Sequence, residues 1–191
     1  IVHNVNDQIF GQTGAGTGID TVYSDISYTL QSSSNVEYLI LTGNAAINGE
    51  ALGGGSDKVI VGNSAGNMLT GGTGNDTLDG GDGADTLAGN TGADTFLFHA
   101  ATAYNNVDVV TDFSNDGQND KIDIKDLLTD YDSGTMNLSD FVHLTASGGN
   151  AILSVDRDGA GSAYGFTDIA VLTGRAGIES ADLLVSTGNL I

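Results

Sequence analysis

A nine-residue motif occurs five times in the middle of the chain, and each copy opens on a glycine: Gly53, Gly62, Gly71, Gly80 and Gly89. The eighth position of every copy is apolar: Ile60, Leu69, Leu78, Leu87 and Phe96. The sixth position reads Lys58, Asn67, Asp76, Asp85 and Asp94, so the motif is degenerate at its start and regular at its end. Apolar residues at a constant spacing indicate a structural repeat rather than a flexible glycine-rich linker.

Each copy offers six turn residues and three strand residues, which is too short a path to return the chain to its start. Two copies, 18 residues in all, would close one coil of a flattened parallel β-helix. Neighbouring strands of such a helix lie about 4.8 Å apart. Asp76 would then lie over Asp94, and Asn67 over Asp85. Carboxylates at that spacing repel each other unless a cation lies between them.

Calcium suits these positions best, because it takes about six to eight oxygen ligands and readily accepts backbone carbonyls. Glycine in tight turns can adopt positive φ and expose successive carbonyls without a Cβ penalty. Magnesium fits less well, since it demands near-octahedral geometry and retains its waters. The spacing therefore predicts calcium ions between the coils, and a narrow core built from the apolar eighth positions of two facing sheets.

The charge balance restricts the partners of the chain. Its 191 residues carry 25 acidic and five Lys or Arg side chains, a formal net charge of -20. No basic stripe is present to neutralise phosphates, which argues against nucleic acid and against anionic membranes. The absence of cysteine excludes disulfides and thiolate metal sites. There is no apolar run of membrane-spanning length and no secretory pattern at the start, and the initial Ile1 suggests a fragment or a processed product.

The copies GGTGNDTLD, GGDGADTLA and GNTGADTFL resemble the calcium-binding nonapeptides of the RTX (repeats-in-toxin) family of exported bacterial proteins. The resemblance implies an all-β fold: a calcium-binding parallel β-roll with a β-rich C-terminal capping and secretion region that carries one or two short helices. It divides the chain into degenerate β-roll coils (1–52), the nonapeptide roll (53–98) and a cap with the type I secretion signal region (99–191).

The family's ligand pattern joins positions two, four and six of one turn to positions one, three and six of the turn 18 residues later. It implies one site from Gly72, Gly74 and Asp76 with Gly89, Thr91 and Asp94, and a second from Asn63, Ala65 and Asn67 with Gly80, Asp82 and Asp85. A third would join Gly54, Ser56 and Lys58 to Gly71, Thr73 and Asp76, and Asp108 in VDVVTDF would close the end formed by Gly81, Gly83 and Asp85. We expect the neutral oxygen of Asn67 to weaken the second site and the charge of Lys58 to oppose the third, which leaves the first as the tightest.

Outside the repeats, β-branched and aromatic residues predict strands within 20–30 and 36–43, and short strands at 107–111, 140–144, 151–155 and 168–172. Two helices are predicted at 121–128 and 178–185. The segments GADTFLF, DVVTDFSNDGQNDKIDIKDLL and DLLVSTGNLI resemble the C-terminal secretion-target region of RTX adhesins. In that family an uncleaved export signal lies within the last several tens of residues.

The resemblance implies a non-catalytic, monomeric calcium-binding module of a secreted adhesin, which folds on calcium outside the cell and meets the type I secretion machinery transiently. Its other partners would be the upstream domains of the parent protein. Two alternatives stay open: the same module trailing a secreted protease, lipase or alginate epimerase, and a module that itself binds polysaccharide. The sequence upstream of this segment in the parent protein would separate the adhesin from the enzyme-borne module.

Weaker motifs have plainer interpretations. DFSNDGQNDKID (112–123) approaches an EF-hand loop, but it lacks helical flanks and favours an acidic turn. DRDGAG (156–161) fits a small calcium loop and a hairpin turn equally well. GNSAG (62–66) matches a nucleophile elbow, yet it lies in register within the repeats, so catalysis at Ser64 is not expected. His3, His99 and His143 share no metal-ligand spacing, so no catalytic constellation is predicted.

Overall fold

The computed structural model describes residues 18–32, 35–114, 119–128, 131–132, 134–159, 161 and 163–177. In chain order the strands of this part are β1 (Thr21–Ser24), β2 (Tyr28–Leu30), β3 (Tyr38–Leu41), β4 (Gly49–Ala51), β5 (Val59–Val61), β6 (Met68–Thr73), β7 (Thr77–Asp79), β8 (Thr86–Thr91), β9 (Thr95–Leu97), β10 (Asp108–Val110), β11 (Lys121–Asp123), β12 (Val142–Ser147), β13 (Asn150–Val155) and β14 (Thr167–Leu172). The helical segments in the described ranges are two 3-10 turns, Lys125–Leu127 and Leu138–Asp140. Neither is long enough to cross a membrane.

Consecutive strands alternate between two parallel sheets. The odd strands form one sheet in the order β1-β3-β5-β7-β9-β11, and β2, β4, β6, β8 and β10 are neighbours in the other. Leu78 pairs with Ile60 in one direction and with Phe96 in the other. These residues lie 18 positions apart along the sequence. Two nonapeptides therefore close one coil, and the predicted all-β fold, a parallel β-roll of about four turns, is confirmed.

Each of the two sheets contributes one column of side chains to the core of the roll. The apolar eighth positions are all fully buried: Ile60, Leu69, Leu78, Leu87 and Phe96. In the sheet of odd-numbered strands, Leu39 extends the column upstream and Ile122 extends it downstream, both with no exposed surface. Since successive residues of a strand point to opposite faces, one apolar residue per short strand is enough to fill the interior. The eighth position thus fixes which face of each strand points inward.

The regular period ends after β9, and the last strands of the chain add to one sheet. The hydrogen bond between Asp85 and Asp108 spans 23 positions, and that between Asp94 and Asp120 spans 26. Strands β12, β13 and β14 form an antiparallel set, and β14 pairs in parallel with β10. The turn between β12 and β13 uses Gly148 and Gly149 at positive φ, the conformation that a two-residue hairpin requires. The C-terminal part therefore continues the sheet of the roll.

The strand predictions outside the repeats agree with the structure within about two residues at each end, except that β12 extends three residues beyond the predicted 140–144. The helix predicted at 121–128 is wrong: this segment is β11 followed by a 3-10 turn. Ile122 and Ile124 are both fully buried, so the segment follows the two-residue period of a strand, and β11 pairs with β9. The helix predicted at 178–185 lies outside the described residues.

Candidate calcium sites

The sixth-position side chains form one column at each edge of the roll. At the first edge, Asp76 Oδ1 accepts the backbone N–H of Lys58 at 2.7 Å, and Asp94 Oδ1 accepts that of Asp76 at 2.8 Å. At the second edge, Asp85 Oδ1 accepts the N–H of Asn67 at 2.7 Å. One oxygen of each carboxylate is therefore bonded to the preceding coil, 18 residues back.

The other oxygen of these carboxylates lacks a partner. Asp76 Oδ2, Asp85 Oδ2 and Asp94 Oδ2 are buried and accept no hydrogen bond. A Cβ built on Gly71 would lie 2.6 Å from Asp76 Oδ2 and 2.9 Å from the carbonyl oxygen of Gly89, so both oxygens border the same small space. A buried carboxylate oxygen without a partner is costly, and a cation bound to it removes that cost. A carboxylate oxygen and a carbonyl oxygen that face a space kept open by a glycine are hard donors of the kind that calcium prefers.

Burial also disfavours the charged form of these carboxyls. Loss of solvation raises the pKa of Asp76 to about 7 and the pKa of both Asp85 and Asp94 to about 6. It raises the pKa of Asp108 to about 7 as well. Hydrogen bonds from the preceding coil oppose these shifts, and neighbouring carboxylates add to them. Metal ligands must be deprotonated, so calcium and protons compete for these oxygens.

The structure brings the members of the first predicted site together. Gly72 pairs with Asn90 in register, and Thr91 Oγ1 lies 3.4 Å from the carbonyl oxygen of Gly72. The N–H of Gly74 donates to the carbonyl of Thr91 at 3.0 Å. The ligand role of the predicted set stays a prediction: Gly72, Gly74, Asp76, Gly89, Thr91 and Asp94.

In the second predicted site, Asn67 already has partners. Its Oδ1 accepts the N–H of Asn63 at 2.8 Å. A Cβ built on Gly62 would contact both this oxygen and the carbonyl of Gly80, so Asn67 does face the following coil. Asp85 reaches the same space from the other side, whereas Asp82 Oδ1 accepts a hydrogen bond from Asn105 Nδ2 at 3.1 Å.

In the third predicted site, N–H groups of the turn 53–58 donate hydrogen bonds to the following coil. Thr73 Oγ1 accepts the N–H groups of Gly54 and Gly55, each at 3.0 Å. The side chain of Lys58 turns toward the preceding coil, where Nζ donates to the carbonyl of Val36 at 2.7 Å. Burial raises the pKa of Asp76 most, and the backbone N–H and the charge of Lys58 both lower it. Lys58 therefore supplies this site with no carboxylate and places its ammonium against the preceding coil.

The structure places Asp108 where the sequence predicts a capping group. Asp108 Oδ1 accepts the N–H of Asp85 at 2.8 Å, and the residue is buried. The turn above it has Gly81 and Gly83 at positive φ, as Gly72 and Gly74 have in the turn of the first site. Its role as a calcium ligand stays a prediction.

Sequence reasoning missed Asp120 and Asp112, which close the other edge. Asp120 Oδ1 accepts the N–H of Asp94 at 2.9 Å, and its Oδ2 accepts that of Ser114 at 2.8 Å. Asp112 accepts the N–H groups of Gly89 and Asn90 at 3.0 and 2.7 Å. The available signal was DKI (120–122), which repeats the spacing between the sixth and eighth positions without the glycines.

The two weaker acidic motifs lie outside the nonapeptides. The described residues of the stretch 112–123 follow β10 and end in β11 rather than lying between helices, and Asp112 and Asp120 accept hydrogen bonds from the turn 89–94. In the stretch 156–161, Asp158 N donates to Asp156 Oδ1 at 3.2 Å and Gly161 N to the carbonyl of Asp158 at 3.0 Å, a bonding pattern compatible with either interpretation.

Ser64 and the histidines show no catalytic arrangement in the described ranges. Ser64 lies in an exposed turn between β5 and β6, whereas a nucleophile elbow joins a strand to a helix. His99 pairs with Asp79 at 3.3 Å and with Asp126 at 3.0 Å, and His143 stacks on Phe166. His3 lies outside the described residues.

Within the described ranges, no three His, Asp or Glu side chains converge as a conventional metal cluster. This is consistent with the predicted sites, because each turn supplies one carboxylate and the remaining donors are backbone carbonyls. Such a site depends on the conformation of the turns rather than on a cluster of acids.

Comparison with known proteins bears on the same segment. Residues 61–96 match the family model for the RTX calcium-binding nonapeptide repeat (4 copies). No curated protein gives a significant sequence match. The similar solved structures include the solution structure of the AlgE6R3 subunit from the Azotobacter vinelandii mannuronan C5-epimerase, with 21% identity, 97% of this chain and 85% of that chain covered, and a TM-score of 0.46.

Proposed function

Because residues 61–96 carry RTX calcium-binding nonapeptide repeats, we propose that the chain is the non-catalytic calcium-binding module of a secreted bacterial protein, and that the parent is a cell-surface adhesin. The observation that carries the proposal is the set of three buried carboxylate oxygens without partners, one in each regular turn: Asp76, Asp85 and Asp94. Calcium, when bound, supplies the positive charge that these oxygens lack.

The residues of the chain prepare each space for an ion. Gly71 and Gly89 leave room beside the carboxylates of Asp76 and Asp94, because neither glycine has a Cβ. Gly72 and Gly74, at φ 101° and 124°, hold the turn in a backbone conformation that side-chain-bearing residues rarely adopt. The backbone hydrogen bonds from one coil to the next fix the spacing of the carboxylates.

Binding and folding are therefore one process. Where calcium is scarce, as in bacterial cytosol, the net charge of -20 and the buried acids disfavour the compact roll and keep most of the chain extended for export. Outside the cell, calcium fills the sites, and its binding free energy becomes folding free energy. We place the type I secretion signal within the last tens of residues and expect the folded module to be a monomer.

A calcium titration followed by far-UV circular dichroism tests the calcium part of the proposal. In excess chelator we expect most of the β-signal to be absent, and millimolar calcium to restore it. The double variant Asp76→Asn and Asp94→Asn should need at least tenfold more calcium, because two charged ligands are lost. The matched control Asp132→Asn changes an exposed acid that caps a turn through the N–H of Gly134 and should leave the midpoint unchanged. Full β-structure in chelator would contradict calcium-driven folding.

Export is tested separately from calcium binding. In cells that carry a type I exporter, the full chain should appear in the medium. A chain shortened by residues 178–191 should stay inside but show the same calcium midpoint after purification. Export of the shortened chain at the normal level would place the signal elsewhere.

The adhesin assignment rests on the resemblance of the C-terminal half to adhesin secretion regions. Loss of surface attachment on deletion of the parent gene would support it. An enzyme-borne module, the alternative with the same calcium chemistry, would instead give loss of a secreted hydrolase or epimerase activity with attachment unchanged.

A further inference from the structure

The two upstream turns of the roll, 53–58 and 62–67, differ from the three that follow, 71–76, 80–85 and 89–94, in what their sixth-position side chain presents. Downstream, each carboxylate leaves one buried oxygen without a donor. Upstream, Lys58 and Asn67 are also buried, but they bring N–H donors of their own. The same place in the coil therefore attracts a cation in one region and supplies hydrogen-bond donors in the other.

Lys58 acts as a fixed cation at the first edge. Its Nζ donates to the carbonyl of Val36 at 2.7 Å and to Ser56 Oγ at 2.8 Å, and the residue is 7% exposed. A buried ammonium is tolerated only when oxygens surround it, and here it joins the turn of one coil to the coil before. A calcium ion beside it would meet repulsion instead of a ligand.

At the second edge, a pair of asparagines supplies hydrogen-bond donors to the preceding coil. Asn67 Nδ2 donates to the carbonyl of Ile47 at 2.6 Å and to Asn63 Oδ1 at 3.1 Å. Asn63 Nδ2 donates to the carbonyls of Ala45 and Thr42 at 2.9 and 3.3 Å. Three carbonyl groups of the preceding coil, which could have faced a metal ion, thus have protein donors.

The backbone conformation of the turns changes at the same point in the chain. Positions two and four both have positive φ in the three downstream turns: Gly72 and Gly74, Gly81 and Gly83, Asn90 and Gly92. In the turn 62–67 neither Asn63 nor Ala65 has positive φ, and in the turn 53–58 the positive values fall on Gly54 and Gly55, at positions two and three. The downstream turns share one conformation that the upstream turns lack.

We propose that Lys58 and the Asn63–Asn67 pair take the place of calcium in the upstream spaces, so that calcium holds the roll only from the turn 71–76 onward. The upstream coils, β1 to β5, are held by protein donors and apolar packing and keep their structure when calcium is removed. This inference rests on the proposed calcium function and adds where that function begins in the chain.

Hydrogen exchange measured by mass spectrometry on the full chain, with calcium and with chelator, tests the boundary. Removing calcium should raise exchange at least tenfold in β7, β8 and β9 and less than threefold in β3 and β5. Equal loss of protection in both regions would overturn the inference and leave calcium-driven folding intact. If calcium changes exchange nowhere, the proposed function itself fails.

Variants separate the donors from the metal ligands. At saturating calcium, Lys58→Met and Asn67→Ala should raise exchange in β3 to β5 and leave the number of bound ions, counted by equilibrium dialysis, unchanged. Lys58→Arg keeps a positive donor and should restore protection. Asp94→Asn should lower the count, and Lys125→Met, at an exposed lysine, should change neither quantity. A lower ion count in Lys58→Met or Asn67→Ala would contradict the inference, as would unchanged exchange in both.

Discussion

The upstream and downstream coils of the roll share a core but differ at their edges. Ile60 and Leu78 pair in the same sheet and are equally buried, so apolar packing does not distinguish the two regions. At the sixth position, Lys58 donates to Val36, whereas Asp76 keeps an oxygen without a donor. The comparison teaches that the eighth position sets the strand register, and under our proposal the sixth position decides whether a coil needs an ion.

The largest expected difference between the regions is the effect of pH on the calcium-free chain. Burial raises the pKa of Asp76, Asp85, Asp94 and Asp108 to between about 6 and 7, so the folded state binds these protons more tightly than the unfolded state. The stability that these protonated carboxyls contribute to the calcium-free chain is fully present below the unfolded pKa near 4. It is lost as the pH rises through about 6 to 7. In chelator, far-UV circular dichroism should therefore show more β-structure at pH 5 than at pH 8.

Excess calcium should reverse that pH dependence. Ions require deprotonated carboxylates, so lowering the pH from 7.5 to 5 should weaken calcium binding and lower the stability of the loaded chain. A calcium-free chain that is more stable at pH 8 than at pH 5 would contradict the buried state of the carboxyls.

Truncation of the shared core should cost similar amounts in both regions. Leu78→Ala and Ile60→Ala each remove a fully buried aliphatic side chain, for which a loss of about 2–5 kcal/mol is typical. Urea unfolding at saturating calcium measures both. A loss confined to Leu78→Ala would show that the upstream coil is not packed as the structure has it.

Replacing one amide nitrogen by oxygen should weaken the upstream coils. Asn67→Asp removes the Nδ2 donor from the carbonyl of Ile47 and adds a carboxylate to a space without an ion. We expect a loss of about 1–3 kcal/mol in unfolding free energy, the usual cost of an unsatisfied buried polar group. Denaturant unfolding with the wild type as control measures it, and a gain in stability at low calcium would refute the donor role of Asn67.

The smallest effect is expected at an exposed upstream contact. Thr73→Ala removes the hydroxyl that accepts the N–H groups of Gly54 and Gly55, and water can replace it because the site is exposed. A loss of about 1 kcal/mol or less is expected, with the calcium midpoint unchanged. Thr73→Ser, which keeps the hydroxyl, is the control, and a shift of the calcium midpoint in Thr73→Ala would place an ion at this turn.

Much of the roll follows from spacing that the sequence shows directly. The 18-residue coil, the apolar column and the two edge columns all depend on local repeats, whereas Asp108 was predicted from the family resemblance of VDVVTDF. Asp120 was not predicted because the 26 positions between it and Asp94 interrupt the period. The segment 121–128 was mistaken for a helix because pairing of β11 with β9 overrides its local pattern.

Side-chain direction is the part of the site that spacing does not reveal. The sequence shows a positive charge at Lys58, but only the folded coil shows that Nζ donates to the carbonyl of Val36. Likewise, the amide of Asn67 serves as a donor to Ile47, a role that depends on a coil 20 positions away. These contacts explain why the degenerate copies fold in register with the regular ones.

Anomalous X-ray diffraction from crystals of the full chain grown in calcium tests the central claim most directly, because it locates each ion. Ions are expected beside the carboxylates of Asp76, Asp85 and Asp94, and none beside Lys58 Nζ or between Asn67 and Ile47. Ions in those two upstream spaces, or no ion beside any of the three carboxylates, would contradict the account.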